Sequence, residues 1–305
     1  MQKVIVICGP TASGKTSLSI ELAKQINGEI VSADSMQIYD EMQIGTAKPD
    51  EEEMQGIKHY LIGNVKPTTR YSVSEYKTDA INAIEEILQK GKAPIIVGGT
   101  GLYVNSLIYG IDYPEVETDL EYRAELEKMV KEKGLEYLYN KAIQIDPEAM
   151  KNISKNDQKR ILRVLEIYKE TGKTKTQLEI ESRKNGIPYD YKVFALNMPR
   201  EILYDRINRR VDIMIQKGLV EEVKKLYNKY GENITTAMQG IGYKEVVEYL
   251  KGNSTKEEMI EKIKMETRRY AKRQLTWFRK IENIVWLDAL EPSQNNINVI
   301  LEEIK

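Results

Sequence analysis

Short apolar, β-branched runs alternate with segments of helical apolar spacing in the first third of the chain, the pattern of a parallel sheet covered by helices. Lys3 to Cys8 predicts a buried strand, and Ser17 to Ile26 the helix that follows it. Glu29 to Ala33 predicts a second strand. Ser74 to Gln89 sets Ala80, Ala83, Ile84, Ile87 and Leu88 at helical spacing, and Pro94 to Val97 is again an apolar strand. From about Asp112 to Pro188 the pattern turns Lys- and Glu-rich and wholly helical, with helices expected at Leu120 to Lys133, Leu135 to Ile145, Lys155 to Thr171 and Lys175 to Lys184. Strand pattern returns at Lys192 to Met198 and is halted by Pro199. The last third reads as helices at Arg200 to Gln216, Leu219 to Tyr230, Gly242 to Leu250 and Ser254 to Lys280, with a short strand at Ile284 to Leu287. The expected fold class is therefore α/β: a parallel-sheet core from residues 1–112 and 189–305, interrupted by an all-helical domain at 113–188.

Composition narrows the chemistry. Among 305 residues there are 46 basic and 47 acidic side chains, a net charge of -1, one cysteine and one histidine. Internal disulfides and cysteine-rich zinc sites are excluded, so catalysis must draw on carboxylates, lysine, arginine, hydroxyls and an oxygen-held metal. No run of about 18 apolar residues offers a membrane span, and Met1 leads straight into a strand, so a cytoplasmic protein is expected.

One motif organises the rest. Gly9-Pro10-Thr11-Ala12-Ser13-Gly14-Lys15-Thr16 matches the phosphate-binding pattern G-x-x-x-x-G-K-[ST], and it stands between a strand and a helix as that loop requires. The core is thus P-loop NTPase-like. Backbone N–H groups and Lys15 would cradle phosphates, and Thr16 would offer a hydroxyl to Mg²⁺. Asp34 closes the second strand, at the sheet edge where ligands bind, and should face the same crevice as Lys15; a turn or capping acid is the alternative reading. From Tyr39 to Tyr60 a glycine- and proline-containing stretch predicts a long ordered loop. Many P-loop NTPases end a buried strand in an acid, whereas this chain has Gly98-Gly99-Thr100 after Val97, small residues that would suit close approach of a ligand. Between Lys262 and Lys280 stand eight basic residues and one acid, with Tyr270, Trp277 and Phe278 among them, a composition that suits a nucleic-acid backbone and its bases; a solvated helix whose aromatics are its core stripe is the alternative reading. Lys155, Lys159, Arg160 and Arg163 form a second basic cluster that Asn156 or Asp157 could cap. Arg206, Arg209 and Arg210 form a third, from which one guanidinium could reach phosphates held by the P-loop.

These motifs resemble those of the bacterial tRNA dimethylallyltransferases. The resemblance runs through nearly the whole chain: GPTASGKT (Gly9 to Thr16), SADSMQIY (Ser32 to Tyr39), IGTAKP (Ile44 to Pro49), GGTGLY (Gly98 to Tyr103), NDQKRILR (Asn156 to Arg163), QGIGYKE (Gln239 to Glu245) and YAKRQLTWF (Tyr270 to Phe278). It implies transfer of a dimethylallyl group from dimethylallyl diphosphate to N6 of adenosine 37 in tRNA. It also implies a diphosphate held by Gly9 to Thr16 with Mg²⁺ near Thr16, Arg210 assisting the leaving group, Asp34 as general base and Thr100 as a hydroxyl contacting both substrates. Asp34, Ser35, Met36 and Gln37 would receive the displaced adenine. Arg123, Lys159, Arg160, Ile161, Leu162 and Arg163, with Lys272 and Arg273 on the basic helix, would contact the anticodon stem-loop. The chain has Lys58-His59-Tyr60-Leu61 where the family more often shows paired histidines, so His59 is expected to be a loop residue. A monomer is expected, since no exposed apolar stripe stands out. A small-molecule P-loop kinase, an adenylate isopentenyltransferase and an RNA-binding GTPase-like switch are the competing readings; the last lacks an N-K-x-D tetrad.

Overall fold

The computed structural model describes residues 1–113, 119–184, 186–231 and 236–305. They form two compact units, one of Met1–Tyr71, Glu75–Val104 and Pro188–Lys305, the other of Ser72–Ser74 and Asn105–Ile187. The chain runs through β1 (Lys3–Cys8), α1 (Lys15–Ile26), β2 (Gly28–Ser32), α2 (Glu51–Met54), β3 (His59–Tyr60), α3 (Val73–Gln89), β4 (Ala93–Gly98) and α4 (Gly101–Ile108). The helices α5 (Leu120–Lys133), α6 (Leu135–Ile145), α7 (Pro147–Met150), α8 (Gln158–Thr171) and α9 (Lys175–Arg183) follow. It ends with β5 (Asp190–Asn197), α10 (Arg200–Gln216), α11 (Leu219–Tyr230), α12 (Tyr243–Leu250), α13 (Lys256–Phe278), β6 (Val285–Asp288) and α14 (Ser293–Glu303).

All six strands are parallel, in the order β3-β2-β4-β1-β5-β6. Alternation along β1 sends Ile5 and Ile7 to one face, where Ile95, Phe194 and Leu196 join them. That face packs against Leu18 and Leu22 of α1 and against Ile297 and Ile300 of α14. Strand β4 lies between β1 and β2, so the carboxyl ends of β1 and β2 open two strand spacings apart, roughly 10 Å. The loop after β1 and the residue after β2 thereby face one crevice from either side.

Several expectations shift. The stretch from Tyr39 to Tyr60 contains α2 and β3, and His59 pairs with Ile30 at the sheet edge. Its Nδ1 lies 2.8 Å from the carbonyl of Ile57, and burial lowers its pKa. Helix α14 was not foreseen, because only a few apolar residues such as Ile297 and Ile300 mark its buried face amid Ser, Gln and Asn. The small residues after β4 serve the protein's own packing. A Cβ on Gly98 would lie 2.1 Å from the carbonyl oxygen of Ala33, one on Gly99 2.2 Å from Nε2 of Gln274, and one on Gly101 2.4 Å from the Trp277 ring.

In the helical unit, Leu126, Leu138, Ala142, Ile161, Leu162 and Leu165 share one core. Ile161 and Leu162, expected to touch RNA, are therefore corrected: both are fully buried, and α8 turns them inward while its polar face stays outside. The helix starts at Gln158 because the Asp157 side chain accepts from the Arg160 N–H at 3.1 Å, which resolves the capping alternative in favour of Asp157.

Replacing Gly98 by alanine should destabilise the first unit by about 3 kcal/mol or more, because the contact is with backbone that cannot step aside. The urea midpoint measures this, and a shift no larger than that of Gly91→Ala, where a Cβ meets open space, would refute it.

Candidate active site

A cleft of about 380 Å³ opens at the carboxyl edge of the sheet, lined by the P-loop, the turn after β2, the loop Gly45 to Ala47, α10, the segment Gln239 to Gly242, and α13. The P-loop shape depends on two glycines. Gly14 has φ 94°, and Gly9 has φ 143° with its Cβ position 2.9 Å from the Leu196 carbonyl oxygen. Lys15 Nζ donates to the carbonyls of Gly9 at 3.0 Å and Pro10 at 2.8 Å. Burial lowers the Lys15 pKa to about 8, Arg210 nearby pushes the same way, and Asp34 opposes them. Thr16 also lines the cleft, in the first turn of α1.

Helix α13 ties this loop to the sheet. Buried Gln274 accepts from the Thr11 N–H at 2.9 Å through Oε1, while its Nε2 donates to the carbonyl of Gly99 at 2.9 Å. The Thr11 amide is thus engaged within the protein.

Asp34 satisfies both readings raised for it. Its Oδ1 accepts from the N–H groups of Met36 at 2.9 Å and Gln37 at 3.3 Å, which makes it a turn acid. No described residue hydrogen-bonds its Oδ2, and Asp34 lines the same cleft as Lys15, Ser35, Met36, Gln37 and Arg210. Arg210 is the member of the α10 cluster that enters the cleft. Its pKa is lowered by burial, with Glu53 and Asp34 opposing, whereas Arg209 pairs with Asp205 and Arg206 is exposed. Tyr270 closes the wall behind Asp34, its phenol pushed up to about 12 by burial first and then by the Asp34 charge. Thr100 stands behind the Asp34 turn, where its Oγ1 accepts from the Ser35 N–H at 3.0 Å and lies 3.3 Å from Ser35 Oγ.

Glu222 of α11 was not anticipated. Its carboxylate accepts from three consecutive amides, Gln43 at 2.9 Å, Ile44 at 2.7 Å and Gly45 at 3.0 Å, and from the Tyr243 hydroxyl at 2.7 Å. Gly45 must be glycine, since a Cβ would fall 2.5 Å from that tyrosine ring. Gln37 Nε2 donates to the carbonyls of Thr46 and Ala47, and Lys48 Nζ donates to the Tyr39 carbonyl at 2.7 Å. The Asp34 turn and the Gly45 to Ala47 wall are therefore one hydrogen-bonded body. No local pattern reveals Glu222, whose amide partners are 177 to 179 residues away.

The remaining basic residues divide. Lys159 and Arg160 are exposed on α8, with Arg160 near Asp157. Arg123 and Arg163 flank the buried carboxylate of Glu166, at 2.8 and 3.6 Å. Lys272 and Arg273 are exposed on α13, and Arg273 lines the cleft. Of the aromatics on that helix, Phe278 is fully buried and Trp277 backs Gly101, which favours the core-stripe reading for these two, whereas Tyr270 lines the cleft. Among the described residues no group of three or more His, Cys, Asp or Glu side chains could hold a metal.

A family model described as IPP transferase matches residues 37–281. The chain is 55% identical to the tRNA dimethylallyltransferase of Acetivibrio thermocellus over 95% of its length and 93% of that protein. It is 49% identical to that of Clostridioides difficile over 100% and 97%. Its structure resembles the full-length tRNA isopentenylpyrophosphate transferase of Bacillus halodurans at 43% identity, with TM-score 0.74, covering 100% of this chain and 97% of that one. It also resembles a eukaryotic dimethylallyltransferase acting on tRNA at 34% identity, with TM-score 0.82, covering 100% and 78%.

Two outcomes follow from this geometry. Glu222→Ala strands three amides and should cost about 2 kcal/mol or more in urea unfolding, whereas Glu222→Gln, which keeps one acceptor oxygen, should cost less; equal, negligible losses would remove the clamp from the argument. For Lys15, an anion in the loop favours the charged amine and raises its pKa from about 8. Pyrophosphate affinity should therefore be full below that pH and fall above it. Calorimetry against Lys15→Arg, which stays charged, subtracts the ligand's own titration; parallel pH profiles would refute the expectation.

Proposed function

The chain belongs to the IPP transferase family, and we propose that it transfers a dimethylallyl group from dimethylallyl diphosphate to N6 of adenosine 37 in tRNAs that read codons starting with U, releasing diphosphate. The observation that carries the reading is one cleft with cationic phosphate-binding groups at one end and a carboxylate at the other. Lys15 and Arg210 stand at the P-loop end and Asp34 at the far side of β4.

The chemistry needs that separation. As N6 bonds to the allylic carbon, the carbon–oxygen bond breaks and its electron pair leaves with the diphosphate, where Lys15, Arg210 and loop amides stabilise the charge. The N6 proton passes to Asp34 Oδ2, which is left unengaged by the turn. Ser35, Met36, Gln37 and the wall held by Glu222 would orient the displaced adenine. Thr100 acts by fixing this turn from behind. Thr16, together with diphosphate oxygens, would hold Mg²⁺, which supplies further neutralisation of the leaving group. The end of β4 carries no acid to order an attacking water, which favours this reading over an ATP-hydrolysing or kinase site.

The RNA grip is proposed for the exposed cations Lys159 and Arg160 of the helical unit and Lys272 and Arg273 of α13, joined by the half-buried Arg123 and Arg163 that flank Glu166. Among the described residues no helix is long and apolar enough to cross a membrane. A cytoplasmic monomer is the accompanying proposal.

Incubation with dimethylallyl diphosphate, Mg²⁺ and unmodified tRNA bearing adenosine at 36 to 38 should give prenylated adenosine on nucleoside analysis. Phosphorylation of a metabolite by ATP with no prenylated product would overturn the reading. Asp34→Ala should slow the single-turnover step by about 10² to 10⁴ with RNA affinity nearly unchanged; a matching loss of RNA affinity would make Asp34 a positioning group only.

A further inference from the structure

A second cavity, of about 350 Å³, lies in the first unit beside α13. Its floor is apolar, from Met198, Leu203 and Leu275, and its rim carries Arg200, Lys272 and Arg279. We propose that it is a subsite for a nucleotide of the RNA strand next to the reacting one; the inference rests on the tRNA reading of the first cleft.

The charge is the first argument. No acidic residue lines the cavity, and none of the three rim cations is paired with a carboxylate among the described residues. Three other cations of α10 and α13 do have carboxylate partners: Arg209 pairs with Asp205, Lys264 with Asp212 and Arg269 with Glu266. Three exposed, unpaired cations around an apolar floor favour an anion, and a ligand with both an anionic and a flat apolar part uses floor and rim together.

Stacking is the second. The Arg200 guanidinium lies over the Tyr204 ring, 4.9 Å from its centroid, and Tyr204 also lines the cavity. A guanidinium placed over one aromatic ring can offer its other side to a second planar group, which fits a nucleobase.

Position is the third. At about 100° per residue, Thr267, Tyr270, Arg273 and Gln274 fall on one flank of α13 and Lys272, Leu275, Thr276 and Arg279 on the other. The first set lines the reaction cleft and the second set this cavity. The solvent-facing ridge between them carries Lys272 and Arg273. A strand crossing that ridge can present one base to each side, with successive phosphates meeting cations on two helices. A free mononucleotide, with its phosphate in one place, leaves part of the rim unmatched.

The test uses an anticodon stem-loop RNA carrying a fluorescent adenine analogue at each position neighbouring the acceptor in turn. Arg200→Gln and Arg279→Gln should each weaken RNA binding by about 3- to 10-fold at moderate salt and lower the salt slope by about 0.7 to 1. The affinity for inorganic pyrophosphate and kcat at saturating RNA should be unchanged. Arg200→Lys should keep the slope but lose the quenching of the analogue at one neighbouring position, since it keeps charge without a plane to stack. Arg209→Gln, removing a paired cation, should behave as wild type. Unchanged slopes and quenching in both rim variants overturn the proposal. So does saturable AMP binding that is lost in Arg200→Gln while RNA slopes stay unchanged, which would assign the cavity to a free nucleotide. Absence of prenyl transfer by the wild-type protein would instead sink the functional reading, and the slopes report separately from it.

Discussion

One buried glutamine joins the two ends of this chain into a site. Gln274 reaches from α13 to the Thr11 amide in the P-loop and to the Gly99 carbonyl at the end of β4. An amide side chain offers one acceptor and one donor group, and here each meets a backbone partner out of water. Leaving either partner unmade would cost more than the bond gains when formed. The consequence is spatial. The approach forbids a side chain at Gly99, brings the Trp277 ring over Gly101, and makes α13 the wall of the cleft. The strand that a P-loop ATPase would end in an acid is therefore closed by packing instead.

A second constraint fixes the opposite wall. The Glu222 carboxylate gathers three amides and a tyrosine hydroxyl, and Gln37 carries that order across to the turn in which Asp34 sits. Between these walls the phosphate-binding groups and the carboxylate are set by strand order, with β4 as the spacer. In the proposed prenyl transfer that spacing would let one end stabilise the departing diphosphate while the other takes a proton, with no water to be ordered. Burial depresses the Lys15 pKa to about 8, so the loop holds a cation that an anionic ligand makes more stable.

Much of this was legible along the chain because it is local. A phosphate-binding loop is written in eight consecutive residues, since its geometry comes from glycine conformations and a helix N-terminus. Asp34 was placed by the rule that ligands bind at carboxyl ends of parallel strands. The basic character of α13 was equally plain. Its aromatics were left between two readings, because helical spacing does not say which flank faces the core, and packing then buried Phe278 while leaving Tyr270 on the cleft; Ile161 and Leu162 were misassigned because a basic motif and a core stripe share the same few residues of α8.

The sequence by itself determined the parallel sheet, the helical block, the glycine loop after β1 and the acid across the cleft from it, because each depends on apolar period or on neighbours a few residues apart. Only the tertiary structure decided that Gly98 and Gly99 are small for the protein's sake, that Arg210 alone of its cluster enters the cleft, and that Glu222 and Gln274 hold its walls. Those facts are hydrogen bonds and close approaches between segments far apart in the chain. No spacing along the chain encodes them until packing has brought the segments together.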